Sequence, residues 1–255
     1  MGTSSSHRSP STPEWERVRE LYRERDVPPG LIAASIVSAL EPETKREMAG
    51  PGVACCLSSL LYGARVADLE GLLPIWEAHP RAQGPALLRL AQALREEAEQ
   101  QIAGHGFASR FADLGLNALG TATLEAGAGG AAEVFNIPAA EVGENLAVYP
   151  RQRRLADLSL CYLAHDFDHL FRYFVTRDLS DFIGSEALPS VSDGSRLRDA
   201  VTQYCRRAVA RVEAAGLEGP LTVASAARGE EDLRQVQAAL GGLVQLGLEQ
   251  VTSGG

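Results

Sequence analysis

Apolar residues recur every three or four positions through most of this chain, and alternating, strand-like patterns are almost absent. Trp15, Val18 and Tyr22 show the spacing near the start. Such a period is typical of helices that bury one face. Only residues 146–148 and 221–223 look extended, and segments so short cannot seed a sheet alone. The sequence therefore predicts an all-α protein, built as an irregular multi-helix bundle.

The stretch 120–150 interrupts this pattern with glycines, prolines and little periodicity. A connection of that length inside a compact domain is unusual and tends to be functional or interfacial. We therefore expect two helical halves joined by a Gly/Pro-rich connection. The expected segments are a disordered tail at 1–11, an N-terminal half at 12–119, the irregular connection at 120–150, a C-terminal half at 151–251 and a tail at 252–255. Thr12 followed by Pro13 predicts the start of the first helix.

Charge and apolar content limit the classes of partner. The chain has 255 residues, and its 24 basic against 33 acidic side chains give a formal net charge of −9. No diffuse positive field is available to attract phosphates, which argues against a nucleic-acid partner or an anionic membrane surface. No uninterrupted apolar run approaches the roughly 18 residues of a membrane span. We expect no nucleic-acid and no membrane partner.

The compartment is expected to be a bacterial cytoplasm. Residues 1–13 are rich in serine and threonine and do not resemble a signal peptide. The four cysteines form no CxxC pair and no regular disulfide framework, which suits a reducing compartment. Lys45 is the only lysine among many arginines, a bias that we attribute to a GC-rich bacterial genome.

The most informative stretch is the predicted helix around residues 158–178. His165 and His169 are one helical turn apart, so both imidazoles project from one face. This spacing suits a divalent metal ion that takes two nitrogen ligands from one helix. Asp166 or Asp168 could add an oxygen ligand or hold a histidine tautomer. The metal site predicted on this basis is His165, Asp166 and His169.

Residues 165–169, His-Asp-Phe-Asp-His, resemble the histidine–aspartate pair of the HD phosphohydrolase superfamily. The resemblance implies an all-α fold and a metal ion that activates water against a phosphoester. It implies that His165 and Asp166 are metal ligands. The family also uses a histidine upstream, for which His79 and His105 are the nearest candidates.

Other interpretations of the same helix remain open. Cys161 and His165 lie one turn apart and could form a thiol–imidazole pair. Asp168 and Arg172 have the favoured spacing of a helical ion pair, so the polar face could simply carry mutual ion pairs. The face could also contact a partner and give that contact a pH dependence through its histidines.

Two further surfaces are candidates for contact with another chain. Arg151, Arg153 and Arg154 precede a predicted helix, at the end where the helix dipole disfavours cations, and could meet an acidic surface of another subunit. The last helix has an apolar stripe that could pack against the body of the protein or against a second chain. The residues of that stripe are Leu233, Val236, Leu240 and Leu243.

One helix holds nearly all of the converging polar groups, whereas an active site usually gathers them from several elements. We therefore expect a non-catalytic helical interaction protein, such as an adaptor, scaffold or assembly subunit. It would need no cofactor and would bind a protein partner or associate with itself. The alternative is a metal-dependent phosphohydrolase with its divalent metal at residues 165–169.

Overall fold

The computed structural model describes residues 12–131, 135–213, 221–222 and 230–254. Every regular element in this part of the chain is a helix, which confirms the all-α prediction and the irregular multi-helix arrangement. The chain groups into two compact units. Unit 1 draws its described residues from 1–45, 167–212 and 245–255, and unit 2 from 46–166 and 213–244. The predicted tail at 1–11 lies outside the described residues.

The helices are numbered here in chain order. They are α1 (Pro13–Arg23), α2 (Pro29–Ala39), α3 (Pro42–Glu47), α4 (Pro51–Leu69), α5 (Leu73–Ala78), α6 (Ala86–His105), α7 (Arg110–Ala128), α8 (Ala139–Arg151), α9 (Leu155–Leu179), α10 (Val191–Val209) and α11 (Glu230–Ser253), with a 3₁₀ turn at Ser180–Phe182.

Helix α4 forms the centre of unit 2 and packs against α6, α7 and α8. It is rich in small and aliphatic residues and is buried around most of its circumference. Gly52 permits the closest approach, because a Cβ there would lie 2.6 Å from the carbonyl oxygen of Phe107 and 2.7 Å from the Cβ of Ala112. Small residues on α4 therefore let α7, which carries part of the candidate site, lie close to the core.

Unit 1 is built around aromatic contacts. Helix α2 packs against α1 and α10. The rings of Trp15 on α1 and Phe174 on α9 have centroids 6.2 Å apart, and those of Tyr22 and Phe182 are 5.6 Å apart. Trp15, Tyr22 and Phe174 are at most 3% exposed, so these rings belong to the core of the unit.

Local capping signals explain where several helices begin. The Thr12 side chain accepts a hydrogen bond from the Trp15 amide at 3.4 Å, which confirms the predicted start of α1. Pro74 lies in the first turn of α5, where proline costs no helical hydrogen bond. The Ser190 side chain accepts a hydrogen bond from the Asp193 amide at 3.2 Å and so caps the start of α10.

The structure differs from the expectation of an irregular connection at 120–150. Residues 120–128 continue α7, and residues 139–151 form α8, which includes the stretch 146–148 that looked extended. In α7 the buried face consists of small residues such as Ala122, Thr123 and Ala126, which do not produce the large-residue stripe used to predict helices. Among the described residues of this stretch, 129–131 and 135–138 lie outside the two helices, and residues 132–134 are outside the described part of the chain.

The ends and the grouping of the chain also differ from expectation. Thr252 and Ser253 belong to α11, so the predicted tail at 252–255 is helical at its start. The two compact units do not coincide with the predicted halves 12–119 and 151–251, because each unit is assembled from separate stretches of the chain. Residues 221 and 222 are helical rather than extended.

One stretch, Pro42–Leu69, is long and apolar enough to cross a bilayer by length and composition. In its most apolar window, 72% of the residues are buried inside the protein. It includes α4, whose apolar character is explained by its central place in unit 2.

Candidate metal site

The candidate site lies in unit 2, where α7 and α9 bring three different ligand types together. Cys161 and His165 are one turn apart on α9, and Glu125 comes from α7. One ligand atom from each residue lies within 4.8 Å of the other two. His165 Nε2 and Glu125 Oε2 are 2.9 Å apart, which is hydrogen-bond distance. We refer to these three residues as the Glu-Cys-His cluster.

The cluster is buried on one side and open on the other. The His165 side chain is only 6% exposed, whereas the Glu125 side chain is 53% exposed and Cys161 is intermediate. The imidazole is therefore held in place by surrounding side chains, while its carboxylate partner extends from the surface. The imidazole donor is thus fixed in position, whereas the carboxylate donor is accessible to solvent.

The donor set is chemically specific. Thiolate sulfur, imidazole nitrogen and carboxylate oxygen are the three ligand types of protein zinc sites. Three protein ligands leave room for a water molecule or substrate in a fourth position, as in catalytic zinc sites. Without a metal ion, the same groups form a His165–Glu125 ion pair when the imidazole is protonated, beside the Cys161 thiol. The residues present therefore fit a zinc-type ion.

Tyr149 on α8 interacts electrostatically with two members of the cluster, Cys161 and Glu125. Its side chain is partly buried, and burial, followed by the nearby Cys161, raises the pKa of its phenol; Glu125 acts in the same direction. The guanidinium of Arg154 lies over the Tyr149 ring, 5.9 Å from its centroid, and lowers the same pKa. The phenol hydroxyl is thus a neutral hydrogen-bond donor near the cluster.

Of the predicted ligands His165, Asp166 and His169, the structure brings only His165 into the cluster. Asp166 is 1% exposed, and neither carboxylate oxygen has a hydrogen-bond partner in the described part of the protein. Burial raises the pKa of Asp166 to about 8. His169 is absent from the cluster, and burial lowers the pKa of its half-buried imidazole. Asp166 and His169 therefore do not belong to this cluster. Asp166 occupies the adjacent helix position and points in another direction, and His169 lies one turn beyond His165, on the side away from Cys161.

The upstream histidines named as candidates have other partners. His79 is buried, with Nε2 3.2 Å from Glu97 Oε2 and Nδ1 3.7 Å from Glu96 Oε2. The ring of His105 stacks on Phe107 with centroids 5.3 Å apart. Neither belongs to the Glu-Cys-His cluster found among the described residues.

Two of the three predicted interaction arginines have ion-pair partners in their own chain. Arg151 Nε lies 2.7 Å from Asp68 Oδ1, and its guanidinium also pairs with Glu144. Arg154 Nε lies 2.7 Å from Asp157 Oδ2. Arg153 is exposed and has a positive φ of 55° in the turn between α8 and α9. The electrostatic mismatch noted at this helix start is thus partly relieved within unit 2.

The apolar stripe on α11 is mostly internal. Val236, Leu240 and Leu243 are fully buried, and Leu233 is partly exposed. Burial of these three side chains removes them from the surface, so their expected role in contact with a second chain is corrected in favour of packing within the protein.

Sequence reasoning missed Glu125. It lies 40 residues before His165, in a stretch expected to be irregular. The signal that could have found it is the helical continuation of α7 through small residues, which places Glu125 on the exposed side of a regular helix. The Cys161–His165 spacing is visible in the sequence, where it indicates a thiol–imidazole pair rather than two metal ligands.

Comparison with known proteins adds no family assignment. The chain matches no protein-family model, no curated protein and no solved structure.

Proposed function

We propose that this protein binds one divalent transition-metal ion, with Zn²⁺ the best match, through Glu125, Cys161 and His165. The observation that carries the proposal is the convergence of one sulfur, one nitrogen and one oxygen donor within 4.8 Å of one another. Magnesium and calcium prefer oxygen ligands, whereas thiolate and imidazole favour zinc and its neighbours. The mixed donor set therefore favours zinc over the hard cations.

Only small movements are needed to accept the ion. Tetrahedral zinc with ordinary bond lengths separates its ligand atoms by about 3.3–3.6 Å. The present separations are at most 4.8 Å, and the His165–Glu125 distance of 2.9 Å would open slightly. Glu125 is exposed enough for its side chain to adjust, and Cys161 and His165 share one rigid helix.

The activity that we propose is metal-dependent hydrolysis. When bound, a zinc ion lowers the pKa of a water molecule in its open position towards neutrality. The chain supplies the three ligands, and the open face beside Glu125 admits solvent and substrate. Asp166 has no part in this proposal, so the ligand set differs from the one that the HD resemblance implies. Hydrolysis itself stays a prediction.

Metal loading tests the proposal directly. The purified full chain should take up one equivalent of Zn²⁺ by elemental analysis, and Co²⁺ in its place should give thiolate-to-cobalt charge-transfer absorption. Since even outer-shell partners of metal sites are worth about 10–100-fold in affinity, Cys161→Ser, His165→Gln or Glu125→Gln should each weaken binding at least about tenfold.

His169→Gln is the matched control, because it changes a histidine on the same helix outside the cluster. It should leave zinc affinity unchanged. Equal loss of affinity in His165→Gln and His169→Gln, or a wild-type protein that takes up no stoichiometric cobalt, would show that the cluster is not a metal site.

A non-catalytic interaction role in a bacterial cytoplasm is our second candidate. The observation that favours it is the exposure of two leucines close together in the chain, Leu69 at 63% and Leu73 at 60%. Exposed apolar side chains in one place are typical of association surfaces. We propose a second copy of this chain as the partner. A concentration-dependent dimer in sedimentation, lost in the Leu69→Ser/Leu73→Ser variant, supports this role, and a monomer at all concentrations contradicts it.

A further inference from the structure

Unit 2 contains a cavity that the Glu-Cys-His cluster does not line. Its volume is about 310 Å³. Its walls come from three places in the fold, which are the first residue of α4, the turn that ends α6 and the first two turns of α11. Ligand pockets of proteins begin at about this size, so the cavity suits a ligand of one or two fused rings. The residues that line it are Pro51, His105, Phe107, Leu233, Arg234 and Gln237.

The turn at the end of α6 fixes one wall of the cavity. Gly106 ends the helix in the left-handed conformation with a φ of 70°, and the Phe107 amide donates a hydrogen bond to the Ile102 carbonyl at 2.9 Å. The Phe107 carbonyl lies against the start of α4, 2.6 Å from where a Cβ on Gly52 would be. This wall is therefore formed before a ligand arrives, which lowers the cost of binding.

The same wall is aromatic and apolar. The rings of His105 and Phe107 are stacked, with centroids 5.3 Å apart and 17° between their planes. Pro51 and Leu233 add apolar surface around them. A flat aromatic ring can extend such a stack and gains more than its buried area alone would give. The wall therefore favours an aromatic ligand over an aliphatic one.

Helix α11 supplies the polar side of the cavity. Gln237 lies one turn after Leu233 and offers amide N–H donors. Arg234 Nη1 pairs with Glu231 Oε2 at 3.3 Å, and both side chains are at least 70% exposed. An exposed pair of this kind contributes little to stability, so a ligand carboxylate can replace Glu231 at low cost.

The charge of the lining decides the class of anion. Arg234 supplies one full positive charge, and the amide of Gln237 adds neutral donors. A carboxylate carries a single negative charge and matches a guanidinium in geometry. A phosphate monoester carries about −1.5 to −2 at pH 7, which one guanidinium does not neutralise. A carboxylate therefore suits this lining better.

We infer that this cavity binds a small aromatic carboxylate, with its ring on the His105–Phe107 stack and its carboxylate on Arg234 and the Gln237 amide. The inference assigns the protein an organic ligand and does not depend on the proposed metal site, because the metal ligands do not line the cavity.

The test titrates the full chain with naphthoate, with its neutral counterpart naphthamide and with cyclohexanecarboxylate, monitored by calorimetry. Naphthoate should bind saturably with one molecule per chain. Naphthamide lacks the charge and should bind about two- to fivefold more weakly. Cyclohexanecarboxylate keeps the charge but cannot stack, so it should bind about two- to tenfold more weakly than naphthoate.

Variants of the lining separate the ring from the charge. His105→Ala removes half of the stack and should weaken naphthoate and naphthamide alike, by about two- to tenfold. Arg234→Gln should weaken naphthoate about two- to fivefold and leave naphthamide unchanged. Glu231→Gln removes the competing carboxylate and should tighten naphthoate binding about two- to fivefold.

Two controls are matched to these variants. Arg196 is an exposed arginine outside the cavity that also pairs with an acidic residue three positions earlier, so Arg196→Gln should leave naphthoate affinity unchanged. Cys161→Ser should bind naphthoate like the wild type, because it alters only the proposed metal site.

Each failure points to a different part of the inference. A wild type that shows no saturable naphthoate binding, or equal naphthoate affinity in wild type and His105→Ala, overturns the cavity as the binding site. Equal affinity for naphthoate and naphthamide, or an Arg234→Gln variant that binds naphthoate like the wild type, overturns the anionic class of ligand. Loss of naphthoate binding in Cys161→Ser overturns the independence of the two sites.

Discussion

Asp166 is a carboxyl group in an environment that offers it no hydrogen-bond partner. It is 1% exposed, both of its oxygens lack partners in the described part of the chain, and its charge would affect the buried Cys56 and Tyr162. An ionised carboxylate without compensation is costly in such a place, so the group stays protonated and its pKa rises to about 8. Asp166 is therefore a neutral acid in the folded protein near neutral pH.

This protonation makes stability depend on pH. In the folded protein Asp166 keeps its proton to a higher pH than in the unfolded chain, where its pKa is near 4. Protonation of Asp166 therefore stabilises the folded protein fully below about pH 4. This stabilisation is lost as the pH rises to about 8, with an upper limit of roughly 6 kcal/mol. Asp166→Asn should therefore flatten the decline between pH 5 and 8. Urea unfolding in the presence of chelator measures this, and parallel pH curves for the two proteins would contradict it.

The four cysteines should differ in reactivity. Burial raises the pKa of Cys55 to about 11 and also raises the pKa of Cys56 and Cys205, whereas Cys161 is partly exposed. At pH 8 the thiolate form of Cys55 is roughly one part in a thousand, so it reacts slowly with a thiol reagent. The native protein should show one fast thiol, absent in Cys161→Ser and protected by Zn²⁺. Any fast thiol that remains in Cys161→Ser would contradict this prediction.

At the scale of helices, His79 joins α5 to α6. Its imidazole lies between Glu96 and Glu97, and Glu97 also accepts a hydrogen bond from Gln101 at 2.9 Å. A six-residue helix such as α5 has little stability of its own, so it depends on contacts of this kind.

Removal of the His79 side chain should destabilise the folded protein. His79→Ala leaves the partly buried Glu97 with one partner fewer and should lower the free energy of unfolding by about 1–3 kcal/mol. His105→Ala is the control, since His105 is exposed and its ring stacks on Phe107. It should change stability by less than about 0.5 kcal/mol. Equal effects in urea unfolding would contradict a specific role for His79.

The helices could be predicted where large apolar residues or caps define them. Thr12 and Pro13 fixed the start of α1 because the capping interaction is local. The second half of α7 and all of α8 could not be recognised, since their buried faces contain alanine, glycine and threonine beside only a few large side chains. Small residues pack helices closely but give a weak periodic signal in the sequence.

At the scale of the whole molecule, the features that could not be predicted from the sequence depend on contacts between residues far apart in the chain. Residues 167–212 group with the N-terminal stretch rather than with the stretch that precedes them, and no local pattern records this. The same holds for the candidate site. Cys161 and His165 are neighbours by helical period, whereas Glu125 reaches them only because α7 and α9 fold together in unit 2.

Metal binding should stabilise the folded chain as a whole. A ligand that binds only the folded state at 100 times its Kd adds about 2.7 kcal/mol, which corresponds to a rise in Tm of about 5–10 °C for a protein of this size. Zn²⁺ should produce this rise in the wild type and in His169→Gln, and a rise of at most about half that size in Cys161→Ser. A zinc-induced rise of the same size in Cys161→Ser, measured by calorimetry, would place the metal elsewhere.

The exposure of Glu125 has a kinetic consequence. With this carboxylate at the surface and His165 enclosed, an ion can enter or leave when one side chain rotates, and the helices need not separate. Side-chain rotation at a surface takes nanoseconds or less, whereas local unfolding takes microseconds to seconds. Release to a competing chelator should thus be governed by bond strength alone, and occupancy should follow the free zinc concentration around the protein.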